Sequence, residues 1–350
     1  MAYELRIEPL GQVIGIEDGQ TVLDAALRAG IYLPHACCHG LCGTCKVRVL
    51  DGELEHGASS SFALMDFERE EGACLACCAT ASGDLVIEAD IDEEPDAQMH
   101  PVVDYSGVVT RIDELTPTIK GIRIRPDREI AFQAGQYVML NLPSEIGPRA
   151  FSLANPPGAA EIELHVRRVP GGAATSYLHE GLKVGERLAL TGPYGRFFVR
   201  ESAGLPLVFM AGGSGLSSPR SMILDLLSKG FSLPITLVYG QRNRAELYGH
   251  EAFLELAATH SNFTYVPVLS DEAPGSVWGG QRGYVHDAAK EHFGSDFRGH
   301  KAYLCGPPAM IEACITALMQ GRLFERDIYF EKFISAADAQ QVRSPLFRAI

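Results

Sequence analysis

Nine cysteines are unevenly spread through this chain of 350 residues, and seven of them lie between Cys37 and Cys78. Cys37, Cys42 and Cys45 follow the spacing C-x4-C-x2-C, that of a plant-type [2Fe–2S] loop, and Cys77 in Leu75-Ala76-Cys77 stands downstream as the fourth ligand candidate. Iron takes thiolates, and a short loop must wrap an inorganic cluster closely. Gly40 and Gly43 let the backbone bend there and aim N–H groups at the sulfurs. Two other readings stay open. Cys42-x2-Cys45 and Cys74-x2-Cys77 make the halves of a four-cysteine zinc site, though their gap exceeds the usual ribbon spacing and Cys37 is left idle. A set of inert buried cysteines is the other, against which their clustering stands. On the cluster reading Cys38, Cys74 and Cys78 are spare and serve as packing residues.

Charge follows the same division. Residues 1–100 hold 19 Asp and Glu against 5 Lys and Arg, while the remaining 25 of each sign balance, so the whole net charge of −14 sits on the cysteine-bearing segment. Such a field disfavours nucleic acid. It is either a solubility surface or a docking face for a basic protein partner. No apolar run approaches a membrane span, and the opening Met-Ala-Tyr-Glu-Leu-Arg-Ile has no signal-peptide apolar stretch. A cytoplasmic protein without membrane contact is expected, and a reducing compartment suits cysteines kept as metal ligands.

The length suggests two or three domains. Tyr3 to Ile7, Gln12 to Ile16, Cys45 to Leu50 and Leu85 to Glu88 read as strands, and Thr21 to Ala29 as a helix that Thr21 caps and Gly30 ends. Hairpin, helix, cysteine loop, strand, distal cysteine, strand: over residues 1–95 this order resembles the β-grasp ferredoxin domain. The acidic, proline-bearing run from Asp90 to Pro101 leads through residues 96–104, read as a linker. From Tyr105 short alternating strands recur between Gly and Pro, at Gly107 to Val109, Ile122 to Ile124, Tyr137 to Leu140, Glu163 to Arg167 and Arg187 to Leu190, as in an antiparallel barrel over residues 105–202. Beyond Leu205 apolar strands alternate with helical patterns: strands at Leu207 to Ala211, Ile235 to Tyr239, Thr264 to Val268 and Ala302 to Cys305, helices at Pro219 to Leu227, Glu251 to Ala258 and Ala309 to Leu318. This is the pattern of a doubly wound parallel sheet, assigned to residues 203–350.

Three stretches in the barrel carry chemistry. Arg149-Ala150-Phe151-Ser152 precedes Gly171-Gly172-Ala173-Ala174-Thr175-Ser176, where glycines meet a helix expected to start at Thr175, an arrangement suited to a pyrophosphate. Thr191-Gly192-Pro193-Tyr194-Gly195 then ends the barrel. In the α/β segment Gly212-Gly213-Ser214-Gly215-Leu216 follows an apolar strand and opens a helix, with Ser218 in place of the third glycine of G-x-G-x-x-G. Cys305-Gly306-Pro307-Pro308 sits at a strand's carboxyl end, where ligands of open sheets bind.

Together these resemble the ferredoxin-NADP-reductase superfamily, marked by Arg-x-Tyr-Ser. The three modules in order resemble the reductase components of bacterial multicomponent oxygenases, most closely those of the phenol-hydroxylase type among soluble diiron monooxygenases; reductases of ring-hydroxylating dioxygenases share the layout. The resemblance implies a chain of [2Fe–2S] cluster, FAD and NADH. Cys37, Cys42, Cys45 and Cys77 would hold the cluster. Arg149, Ala150, Phe151, Ser152, His165, Val166, Arg167, Gly172, Thr175, Ser176 and Phe333 would line the FAD site. Phe151 would stack on the flavin in place of the usual Tyr and without its hydroxyl. Gly212, Gly213, Ser214, Gly215, Leu216, Cys305, Gly306, Pro307 and Met310 would border the nicotinamide dinucleotide. Ser152, Cys305 and Glu331 would serve the transfer itself, Cys305 placing the nicotinamide and Glu331 relaying a proton. Electrons would pass from NADH through FAD and the cluster to an oxygenase component docked on the acidic ferredoxin domain. A flavin or iron–sulfur redox sensor is the alternative of another class, and no signalling or DNA-binding module is visible to support it. After the second α/β strand, Glu246-Leu247 favours NADH, while Arg242 and Arg244 keep a 2′-phosphate possible.

Overall fold

A computed structural model describes residues 2–35, 38, 40–91, 94–273 and 275–334; Cys37 and the end of the chain from residue 335 lie outside the described residues. The chain divides into two compact units, the second beginning at Asp104.

In the first unit one sheet runs in the order Gln12–Glu17, Ala2–Glu8, Leu85–Glu88, Lys46–Asp51, Ala73–Leu75. Its central pair, Ala2–Glu8 with Leu85–Glu88, is parallel and the flanking pairs are antiparallel. Helix Val22–Arg28 packs against it, as a β-grasp requires. Thr21 Oγ1 accepts the Asp24 N–H at 3.2 Å and fixes the helix start. Val22, Leu23 and Ala26 meet Leu5, Ile7, Ile16, Leu75 and Leu85 in one buried core, each large side chain contributing about 1.5–3 kcal/mol. The strand Ala73–Leu75, the helix Asp66–Glu70 and the ladder Leu54–Glu55 with Thr80–Ala81 are additions to the expected elements; none is long enough to show a period. The expected linker is anchored at Val102. That residue is buried, and its N–H bonds Leu27 O at 3.0 Å, adding a second donor to a helix-end carbonyl that Gly30 N–H reaches at 3.1 Å.

In the second unit six strands form one sheet in the order Arg149–Ser152, Tyr137–Asn141, Arg187–Tyr194, Val103–Glu114, Ile119–Pro126, Ile162–Arg167. An antiparallel bridge from Leu153 to Leu164 joins its two edges, so the sheet closes into a barrel. The strands outrun their expected bounds because their ends, such as Arg111 to Glu114, are polar and hide the alternation. Arg149–Ser152 is a strand of its own, paired Tyr137 to Ser152 and Leu140 to Arg149.

The α/β part is a parallel sheet in the order Gln281–Arg282, Phe263–Leu269, Ile235–Gln241, Leu207–Gly212, Lys301–Gly306, Ile328–Lys332. The chain builds outward from Leu207–Gly212 on one side, then returns to lay Lys301–Gly306 on its other side. That reversal opens a crevice beyond the carboxyl ends of these two strands, where ligands of such sheets bind. Helices Ser217–Ser228, His250–Thr259, Val285–Phe293 and Pro308–Gln320 connect the strands. Val285–Phe293 is an addition: its sequence VHDAAKEHF is too polar to announce a core-facing helix.

Candidate functional site

Of the four expected cluster ligands, Cys42, Cys45 and Cys77 are described. Cys45 is buried and Cys77 half-buried, and their sulfurs are in hydrogen-bond contact. That contact, with burial second, pushes the Cys77 thiol well above its ordinary range. Two such sulfurs ionise together only with a cation between them, so the pair fits an iron-bound group. Gly40 donates its backbone N–H toward the Cys77 sulfur. It holds φ +71°, and a β-carbon there would meet Ala58 O at 2.8 Å. Gly43, at φ +76°, lies against Ala63 O. Cys42 is exposed on the loop.

Two alternatives fall. The zinc reading needs Cys74 as a ligand beside Cys42, Cys45 and Cys77. Cys74 instead packs in the core, where burial pushes its thiol up to about 12. The buried-filler reading fails at Cys42, which faces solvent. Cys38 is exposed as well, at φ +55°, so it is not the packing residue expected.

On the barrel, Arg149 is exposed, Phe151 half-buried and Ser152 buried. Strand alternation puts Arg149 and Phe151 on one face. His165 and Val166 are buried. His165 bonds Tyr248 Oη at 3.1 Å and Glu163 Oε1 at 3.2 Å, and burial holds its imidazole below the ordinary value, hence neutral at pH 7. Burial alone would raise Glu163, but the His165 bond with Arg220 and Arg123 outweighs it and brings the carboxyl to about 2. His165 is thus held in place between Tyr248 and Glu163. Arg167 reaches the other way: its Nη1 lies 3.6 Å from where a β-carbon on Gly213 would stand, beside the dinucleotide loop.

The helix after the paired glycines starts at Ala173, not Thr175. Gly172 is its extended N-cap, and the Thr175 hydroxyl is turned inward, accepting the Val169 N–H at 3.1 Å and lying 3.2 Å from Gly172 O. Thr175 thus braces the turn that Gly172 and Ser176 present.

The crevice is packed glycine against backbone. Gly213 turns the loop at φ +61°. A β-carbon on Gly215 would fall 2.4 Å from Cys305 O, and one on Gly212 would fall 2.4 Å from Met310 Sδ. Pro307 caps helix Pro308–Gln320 beside them. Leu216 is wholly buried and holds the loop to the core, and Ser214 is buried as well. The loop is a four-residue turn, Gly213–Leu216, running into helix Ser217–Ser228, which begins two residues ahead of the expected Pro219.

Where barrel and crevice meet, four side chains converge. Glu331 Oε2 accepts Ser218 Oγ at 3.0 Å and Ser152 Oγ at 3.2 Å, with Cys305 Sγ at 3.8 Å. Burial raises the Glu331 carboxyl above its usual range while these three donors pull it back. Burial, and then Glu331, hold the Cys305 thiol protonated. The sequence marks Ser218 only as the residue at the third glycine position and gives no sign of its bond to Glu331. Phe333 is half-buried against the core, its N–H on Gly306 O at 2.9 Å.

Glu246 is not a nucleotide-facing residue. It is buried and accepts Thr116 Oγ1 at 2.9 Å and Thr118 Oγ1 at 2.6 Å, tying the loop after Ile235–Gln241 to the barrel. The barrel partners lie too far away in sequence for local reading to find them.

Family models match three segments: a 2Fe-2S iron-sulfur cluster binding domain at residues 5–82, an oxidoreductase FAD-binding domain at 113–199 and an oxidoreductase NAD-binding domain at 209–315. The chain is 60% identical to the reductase component of phenol 2-monooxygenase of Pseudomonas sp. (strain CF600), covering 100% of both chains. It is 55% identical, again over 100% of both, to the phenol hydroxylase P5 protein of Acinetobacter pittii. Among solved structures it resembles the cytochrome P-450 reductase GcoB of Amycolatopsis, with TM-score 0.84, 37% identity, and 95% of this chain and 98% of that one covered. Among the described residues no helix is long and apolar enough to cross a membrane.

Proposed function

Since this chain belongs to the family of the phenol 2-monooxygenase reductase components, we propose that it carries electrons from NADH through FAD and a [2Fe–2S] cluster to an oxygenase component acting on phenol-type aromatics. Its segments are residues 1–95 for the cluster, 105–202 for FAD and 203–350 for NADH. When bound, the nicotinamide supplies a hydride, the flavin divides its two electrons, and the cluster carries them singly.

The observation that carries this reading is the meeting of Ser152, Ser218, Cys305 and Glu331 between the barrel edge and the dinucleotide crevice. Ser152, from the barrel, would donate toward the flavin and exchange a proton with Glu331 Oε2. Glu331 is suited to hold that proton because burial raises its carboxyl. Cys305, kept as a thiol, shapes the nicotinamide pocket and is no nucleophile. Arg149 pairs with FAD phosphate and Phe151 stacks on the ring. Gly172, Thr175 and Ser176 shape the pyrophosphate turn. Gly213 to Gly215 hold the dinucleotide phosphates, with Arg167 as a cation reaching over from the barrel.

NADH is favoured over NADPH by the charges around the loop. Glu272 accepts the Arg244 N–H at 2.9 Å and is held ionised, while Arg242 lies 3.5 Å from Glu246. A 2′-phosphate would meet that carboxylate, with Arg242 drawn toward Glu246 and Arg244 Nη1 on Val277 O at 3.3 Å.

Cys37, Cys42, Cys45 and Cys77 would hold the cluster, and the oxygenase component docks beside them. Ser60 N–H bonds Gly40 O at 3.0 Å, bringing the next segment against the cysteine loop. There Leu41, Phe62, Met65 and Phe67 are 65%, 93%, 50% and 56% exposed, amid the acidic excess of this unit. An apolar patch with a charged surround suits a protein partner.

Substituting Cys77→Ser tests the path. Cluster-dependent cytochrome c reduction should disappear while NADH-to-ferricyanide activity stays. Loss of both would refute separable flavin and cluster modules.

A further inference from the structure

A four-cysteine cluster has no use for Cys78 as a ligand, yet this thiol is built into the site. Its Sγ lies 3.6 Å from Cys77 Sγ. It also abuts Gly40, where a β-carbon would come within 2.8 Å of it. The Cys78 N–H bonds Leu75 O at 2.9 Å, and Gly57 packs so closely over its carbonyl that a β-carbon there would fall 2.5 Å away. Backbone on both sides therefore fixes Cys78 beside Cys77. Gly40 N–H approaches the same Cys77 sulfur from the loop.

We propose that Cys78 is a positioning residue for the cluster, its S–H donating to the Cys77 sulfur and raising the cluster's reduction potential. The inference rests on Cys77 being a cluster ligand. The added electron places more negative charge on the ligating sulfurs, so a donor there stabilises the reduced form more than the oxidised one. Half-burial keeps water from replacing the donor. A thiol is a weak donor, and the expected effect is up to about tenfold in the reduction equilibrium, or ~59 mV for one electron.

The test is a redox titration of the full chain loaded with FAD and cluster, followed by electron paramagnetic resonance, on Cys78→Ala, Cys78→Ser and Cys77→Ser. Cys78→Ala should keep its iron and visible absorption but titrate at a more negative potential. Cys78→Ser, with an O–H donor in place, should stay near the parent value. An unmoved Cys78→Ala, an equal shift in Cys78→Ser, or loss of iron from Cys78→Ala would each overturn the proposal. Cys77→Ser separates the premise: if it retains the parent iron content and resonance signal, Cys77 is no ligand and the inference falls with that assignment.

Discussion

At Gly215 a single β-carbon would stand 2.4 Å from Cys305 O and 2.6 Å from Gly306 Cα. Both obstacles are backbone, and Gly306 itself sits at φ +152°, which only glycine adopts without strain. Neither side can yield without moving the crevice. Overpacking of this kind costs about 1–3 kcal/mol, so Gly215→Ala should raise the KM for NADH about tenfold or more while FAD content stays at the parent level. Steady-state kinetics with a flavin assay check this, and an unchanged KM would show that the loop does not hold the dinucleotide. Glu331 illustrates a different limit at the same scale. Its partners Ser152 and Ser218 come from segments 179 and 113 residues away, so the sequence names the residue through resemblance but not the pair of hydroxyls that hold it.

Among elements, the segment from Gly57 to Glu70 does most to separate the two functions of the first unit. Its inner side, Ala63 and Leu64, is buried in the core, while its outer side leaves Phe62 almost wholly exposed beside the cysteine loop. An exposed aromatic contributes little to folding, and so its removal reads out docking. Phe62→Ser should raise the KM for the oxygenase component several-fold, and added salt should slow transfer to it. NADH-driven reduction of the chain's own cluster should not change. Equal transfer kinetics in Phe62→Ser at every ionic strength would remove this patch from the docking face; slowed internal reduction would assign it to the flavin-bearing part instead. This segment was illegible beforehand because its helix Asp66–Glu70 is five residues long and its strand partner Ala73–Leu75 is three. Longer elements were legible wherever one face is apolar throughout, as in Leu207–Gly212, buried at every position.

For the whole molecule, the sequence carried the order of modules because each has a local signature: cysteine spacing, glycines closing a strand, apolar strands alternating with helices. It did not carry what joins them. Glu246 enters the sequence only as part of a pair that favours NADH, and in the fold it is a tether to Thr116 and Thr118. Arg220 reads as one residue of an amphipathic helix, yet it bonds the Ala154 carbonyl and pairs with Glu163. Such contacts depend on two distant segments meeting, and no spacing rule encodes them. The central claim is a continuous electron path through one chain, and a visible absorption spectrum of the anaerobically purified protein, before and after NADH, tests it most directly. The expected result is flavin bands over a broad iron–sulfur absorption, with both bleaching on addition of NADH. Flavin bands alone, with no iron by metal analysis, would leave a reductase without its outlet and contradict the account.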